Sequence, residues 1–112
     1  MTESTPLEIT PSSMKARLDA GESIVVLDCR TTQERELASL PETIHAPLGD
    51  LARLLPELDI EEDTAIIVHC HHGMRSLHAT QMLRAEGFAL AQSLAGGIDR
   101  WSHEIDPSIP RY

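Results

Sequence analysis

Two cysteines in 112 residues are too few for a disulfide framework. A chain of this length can bury a core without one. Aromatic residues are nearly absent, with one Trp, one Tyr and one Phe, so the sequence names no partner-binding surface of the usual aromatic kind. No apolar run approaches the length of a membrane span, and Met1 to Pro11 lacks the basic region and apolar stretch of a leader. Bases are scarce too: 9 Lys and Arg stand against 18 Asp and Glu, a formal net charge of -9. That balance argues against sequence-independent binding to nucleic acid or to an anionic membrane. These absences predict one soluble domain of a reducing, cytoplasmic compartment, and leave the oligomeric state open.

Acid is missing where it would matter most. Residues 1–63 hold 14 acids and 5 bases, whereas residues 64–112 hold 4 of each. Between Asp63 and Glu86 there is no acid, and that stretch carries Arg75, Arg84, His69, His71, His72 and His78. An otherwise acidic chain thus keeps one region neutral to positive, which suits an anionic substrate.

At the centre of that region lies His69-Cys70-His71-His72-Gly73-Met74-Arg75-Ser76. The β-branched run Thr64-Ala65-Ile66-Ile67-Val68 ahead of it predicts a central parallel strand. Behind it, Ser76 to Glu86 predicts a helix with Ala79, Met82 and Leu83 on one face and Gly87 as its stop. Cys70 therefore sits at a strand's carboxyl end and a helix mouth, where unpaired N–H groups favour an anion. A thiol so placed is expected to have a lowered pKa and to react near neutral pH.

The rest of the chain alternates the same two elements. Leu7-Glu8-Ile9 reads as a short edge strand. Thr10-Pro11 caps a helix that runs to about Ala20, buries Met14 and Leu18, and stops at Gly21. Ser23 to Asp28 is an apolar strand, and Thr31 with Glu34 forms a capping box for a short helix to about Ser39. Thr43 to Ala46 is a brief strand, and Asp50 to Leu58 a helix whose last turn Pro56 should break or tighten. Phe88 to Leu94 reads as the last strand, and Gly96-Gly97 as a tight turn into a helix holding Trp101. This alternation implies an α/β fold, a parallel sheet with helices on both faces. Its ligand site should lie beyond the strands' carboxyl ends, near Cys70, Asp28, Cys29, Arg30, His45 and Ala95-Gly96-Gly97.

Several of these fragments, in order, resemble the rhodanese-like family and specifically its single-domain sulfurtransferases. They are Leu27-Asp28-Cys29-Arg30 with Glu34, Leu40-Pro41, Ile44-His45-Ala46-Pro47-Leu48, Cys70 to Ser76, and Leu94-Ala95-Gly96-Gly97-Ile98 with Trp101. The resemblance spans about residues 8–107, leaving 1–6 and 108–112 as tails of a single domain over 1–112. It implies a five-stranded parallel core sheet and a Cys70 nucleophile. Cys70 would take a sulfane sulfur from thiosulfate or from a persulfide-bearing protein and pass it to a thiophilic acceptor such as cyanide or a thiol. His71, His72, Gly73, Met74, Arg75 and Ser76 would form the anion-binding loop, with no metal or organic cofactor. Four residues separate Cys70 from Arg75. The related cysteine phosphatases generally place five there, so the shorter cradle favours sulfur over a phosphoryl group. The alternatives are a sulfur-carrier or redox-sensing module working only with a protein partner and, less favoured, a cysteine phosphatase or arsenate reductase.

Two departures from the family pattern stand out. Glu42 follows Pro41 where Gly is common, and Cys29 replaces an aliphatic residue. Cys29 reads first as a small core residue and second as a thiol able to resolve a Cys70 persulfide. Asp28 and Arg30 read as a paired anchor supporting the site; the resemblance adds anion binding as an alternative role for Arg30. Ser76 reads as the helix N-cap. His69 should point into the fold while His71 and His72 line the loop rim. Adjacent strand residues face opposite ways, so the histidines do not suggest a closed metal set. His45 and His103 have no assigned role.

Overall fold

The computed structural model describes residues 5–112; residues 1–4 of the expected N-terminal tail lie outside them. Five parallel strands form one sheet in the order β1-β5-β4-β2-β3: β1 Glu8–Ile9, β2 Ile24–Asp28, β3 Ile44–His45, β4 Ala65–His69 and β5 Ala91–Leu94. The helices are α1 Pro11–Asp19, α2 Thr32–Leu37, α3 Leu51–Leu58, α4 Met74–Ala85 and α5 Gly97–Glu104, with a 3₁₀ turn at Leu48–Asp50. Among the described residues no helix is long and apolar enough to cross a membrane.

Alternation along the strands sends the apolar side chains into two cores. On one face Val25, Leu27, Ile66, Val68 and Ala91 meet Leu51, Leu54 and Leu55 of α3 and Ala79 and Leu83 of α4. On the other, Val26, Ile67 and Leu94 meet Met14 of α1 and Ile98 and Trp101 of α5. The sheet is thus covered on both sides, and its loops gather at the carboxyl end.

Local chemistry sets most boundaries. The Thr10 hydroxyl accepts the Ser13 N–H at 3.2 Å and Pro11 opens α1. Thr31 and Glu34 cap α2 reciprocally, as the capping box predicts. Other expectations need correction. Leu18 is exposed rather than buried, because α1 buries Pro11 and Met14 and turns Leu18 outward. The last strand begins at Ala91, since Phe88 turns back through its N–H to the Leu83 carbonyl and plugs the core. Pro56 lies inside α3, which ends two residues later with Asp59 at φ +53°. Glu42 takes φ +57°, so the turn keeps the left-handed backbone that a glycine would adopt more easily.

Candidate active site

Cys70 leaves β4 directly into a tight loop. Gly73, at φ +106°, caps α4, and the helix starts at Met74 rather than Ser76. Ser76 is therefore not the N-cap; it lies buried in the first turn. The earlier start brings the opening amides of α4 around the sulfur, where no intrahelical carbonyl competes for them. Gly73 N–H donates to Cys70 Sγ at 3.1 Å and Ser76 N–H at 3.4 Å. Ser76 Oγ lies 3.5 Å from the sulfur, 3.2 Å from the Gly73 carbonyl and 2.7 Å from Ser93 Oγ. With Ser93 donating to it, Ser76 can turn its own proton to the sulfur.

The loop is held from behind by α5. Ile98 N–H donates to the Cys70 carbonyl at 2.8 Å and Asp99 N–H to the His71 carbonyl at 3.1 Å. These bonds occupy the loop carbonyls and leave its amides for the sulfur. Gly97, at φ +61°, allows this approach, because a Cβ there would collide with both carbonyls.

The Cys29 thiol beside Cys70, followed by the Ser76 hydroxyl and the Ser76 and Gly73 amides, holds the Cys70 thiol well below its ordinary range against the opposing effect of burial. Cys29 is pushed the other way by Cys70 and by burial. The two displacements run in opposite directions and favour the thiolate at Cys70 over one at Cys29.

A second network, rooted in β2, surrounds the loop. Arg30 is fully buried and donates to Asp28 Oδ1 at 2.9 Å and Oδ2 at 2.8 Å, to the Glu34 and Ala38 carbonyls, and to the Tyr112 hydroxyl at 3.0 Å. Arg35 adds a further bond to Asp28 Oδ2 at 3.2 Å. Burial alone would raise the Asp28 carboxyl, but its bonds to Arg30 outweigh that and hold it below its usual value. Asp28 and Arg30 are thus bonded to each other and to the surrounding chain, and the Arg30 N–H groups point to acceptors within the protein.

Arg75, expected to offer its charge to an anion, directs its fork to Glu34 at 2.6 and 2.8 Å. That pair holds Glu34 far below the carboxylate range. Glu34 also accepts the Tyr112 hydroxyl at 2.8 Å, and burial raises Tyr112 to about 12.

The rim consists of rings and one apolar tip. His71 stacks on His72 at 3.8 Å and on Tyr112 at 3.9 Å, and Met74 is 80% exposed. The two imidazoles share a side because residues 71–73 have left the strand, so strand alternation does not apply to them. With Asp99 they bring three donor atoms within 4.8 Å of one another. Asp99 is already paired with Arg111 at 2.9 and 3.1 Å, and the two imidazoles are stacked face to face. His69 points into the fold, 3.9 Å from Asp28, and burial lowers its pKa to about 4. His78 is exposed on α4.

Sequence reasoning missed Ser93 and Tyr112. Ser93 had a signal, a hydroxyl in the middle of a buried strand, paired in register with Val68. Tyr112 had none; it lies 42 positions from Cys70 in a segment without periodic pattern.

Against known proteins, the chain is 35% identical over 109 residues to the adenylyltransferase and sulfurtransferase MOCS3-2 of Zea mays, covering 93% of this chain and 23% of that protein. It is 33% identical over 99 residues to YrkF of Bacillus subtilis, named for a sulfur-carrier role, covering 88% and 52%. It thus spans about a quarter to a half of these relatives. The solved thiosulfate sulfurtransferase of Pseudomonas aeruginosa superposes with a TM-score of 0.77 at 31% identity, covering 88% of this chain and 19% of that one. The family model of the rhodanese-like domain matches residues 10–104, from the cap of α1 to the end of α5, and the chain belongs to that family.

Proposed function

We propose that this chain is a sulfurtransferase that carries sulfane sulfur on Cys70. The observation that supports it is the pair of amides, Gly73 at 3.1 Å and Ser76 at 3.4 Å, directed at one sulfur at the mouth of α4. The Cys70 thiolate attacks the outer sulfur of thiosulfate, the S–S bond breaks, and sulfite leaves with its electron pair. The resulting persulfide anion is held by the same amides. A thiophilic acceptor, cyanide or a thiolate, then attacks the outer sulfur and returns Cys70 as a thiolate. Four residues between Cys70 and Arg75 make a cradle suited to one sulfur better than to a phosphoryl group. The chemistry needs a free thiol, which a reducing cytoplasmic compartment preserves.

A second reading is a carrier domain that exchanges sulfur only with a persulfide-bearing or acceptor protein. Met74, exposed beside the loop, favours it as an apolar contact for a partner. Incubation with thiosulfate and cyanide, with thiocyanate followed and intact mass measured before cyanide, separates the two. Turnover that disappears in Cys70→Ser supports the enzyme. Gain of one sulfur without turnover supports the carrier, and no gain from any donor contradicts both.

A further inference from the structure

Cys29 takes no step in that relay, yet the sheet delivers it to the reacting sulfur. In the β2–β4 register Val25 faces Ile66 and Leu27 faces Val68. One more step of two places Cys29 beside Cys70 on the same face. The ladder continues that far, since Cys29 N–H donates to the His69 carbonyl at 3.1 Å, and both cysteines belong to one core cluster. In-register neighbours on adjacent strands lie about 4.8 Å apart, inside the roughly 4.4–6.8 Å between Cα atoms that a disulfide spans. Both thiols are free. The Cys29 thiol itself lies 3.5 Å from the carbonyl of His69, the residue that precedes Cys70.

We propose that Cys29 is a resolving thiol for the Cys70 persulfide, closing a Cys29–Cys70 disulfide and releasing hydrosulfide. The inference rests on the sulfurtransferase reading above. Cys29 sulfur attacks Cys70 Sγ, the bond from Sγ to the outer sulfur breaks, and the outer sulfur leaves with the bonding electrons and takes up the Cys29 proton. The sulfane sulfur is reduced to sulfide while the two cysteines are oxidised to a disulfide, so no outside oxidant is needed. A dithiol reductant of the class that opens protein disulfides restores both thiols. The two attackers have different routes: an acceptor reaches the outer sulfur through the loop mouth, whereas Cys29 reaches the inner sulfur from the neighbouring strand end. When no acceptor arrives, sulfur leaves as hydrosulfide and Cys70 is shielded from irreversible oxidation.

The test loads the full chain with thiosulfate, removes the donor, and follows hydrosulfide, intact mass and the peptide map. The wild type is expected to gain one sulfur, then release it as hydrosulfide and become two hydrogens lighter than the reduced chain, with a crosslinked Cys29–Cys70 peptide. Cys29→Ser should load sulfur more slowly, because the Cys29 thiol helps favour the Cys70 thiolate, and once loaded should retain it with hydrosulfide release lost. Cys29→Ala adds no buried hydroxyl and serves if the serine variant does not fold; the wild-type peptide map decides if neither does. A wild-type persulfide that persists without a crosslinked peptide overturns the resolving role and leaves sulfur transfer standing. No sulfur gain in the wild type, from thiosulfate or from a persulfide donor, overturns both.

Discussion

The ends of β2 and β4 are neighbours that stabilise charge by opposite means. At the end of β4 the Cys70 sulfur is held by neutral groups, the Cys29 thiol and Ser76 hydroxyl together with the Gly73 and Ser76 amides at the helix mouth. At the end of β2 the charges are held by side chains, with Asp28 and Arg30 fully buried and bonded to each other. A cradle of neutral groups sets few limits on the side chains around it, so the rim can carry His71, His72 and Met74. A buried ion pair tolerates little, because either partner left alone is a stranded charge. Glu34 and Arg75 join the two ends, fixing the helix that opens beside the sulfur to the capped start of α2.

If that division holds, damage to the β2 end should fall on stability. Arg30→Met leaves the buried Asp28 carboxylate with Arg35 as its remaining cationic partner and should cost about 3–5 kcal/mol in urea unfolding. Met74→Ala on the exposed rim should stay within about 0.5 kcal/mol. Equal losses in the two variants would erase the distinction.

The pH dependence of folding tests the same buried region. Burial holds folded His69 at about 4 against an ordinary 6.5, so between those values the unfolded chain binds the proton first. This contribution to stability is therefore complete above pH 6.5 and is lost as pH falls toward about 4. The slope approaches about 1.4 kcal/mol per pH unit within that window. His69→Gln should flatten it there, as read from denaturation midpoints at successive pH values.

At the β4 end a backbone change should fall mainly on activity. Gly73→Ala forces a side chain into φ +106° with its Cβ 3.3 Å from the Gly96 nitrogen. A strain of about 1–3 kcal/mol is expected, together with at least a tenfold fall in sulfur transfer, equivalent to about 1.4 kcal/mol of barrier. Intact transfer would mean that the loop geometry matters less than the sulfur itself. The smallest effect lies away from both ends. Glu42→Gly relieves a residue at φ +57° and should raise stability by about 1 kcal/mol without altering transfer.

Much of this was legible in the sequence because it depends on short-range pattern. The β-branched run before Cys70, the Thr31–Glu34 box and the Gly96-Gly97 turn each specify a local geometry, and the structure contains all three. What could not be read was how spent each charge is. Arg75 and Arg30 look alike as available cations, yet one is forked on Glu34 and the other enclosed, because their partners come from other elements. The same holds for Tyr112, which reaches the site only through the path of the chain after α5. The start of α4 at Met74 rather than Ser76 has a related reason. Ser76 has the chemistry of a cap, but Gly73 has the backbone for one, and Ser76 is drawn inward to Ser93.

The Gly73 and Ser76 amides, the Ser76 hydroxyl and the neighbouring Cys29 thiol together favour the Cys70 thiolate at neutral pH. Thiolate ultraviolet absorbance titrated against pH, as the difference between wild type and Cys70→Ser, tests it directly. A Cys70 transition well below the ordinary thiol value of about 8.5 is expected. A transition at or above that value would contradict it.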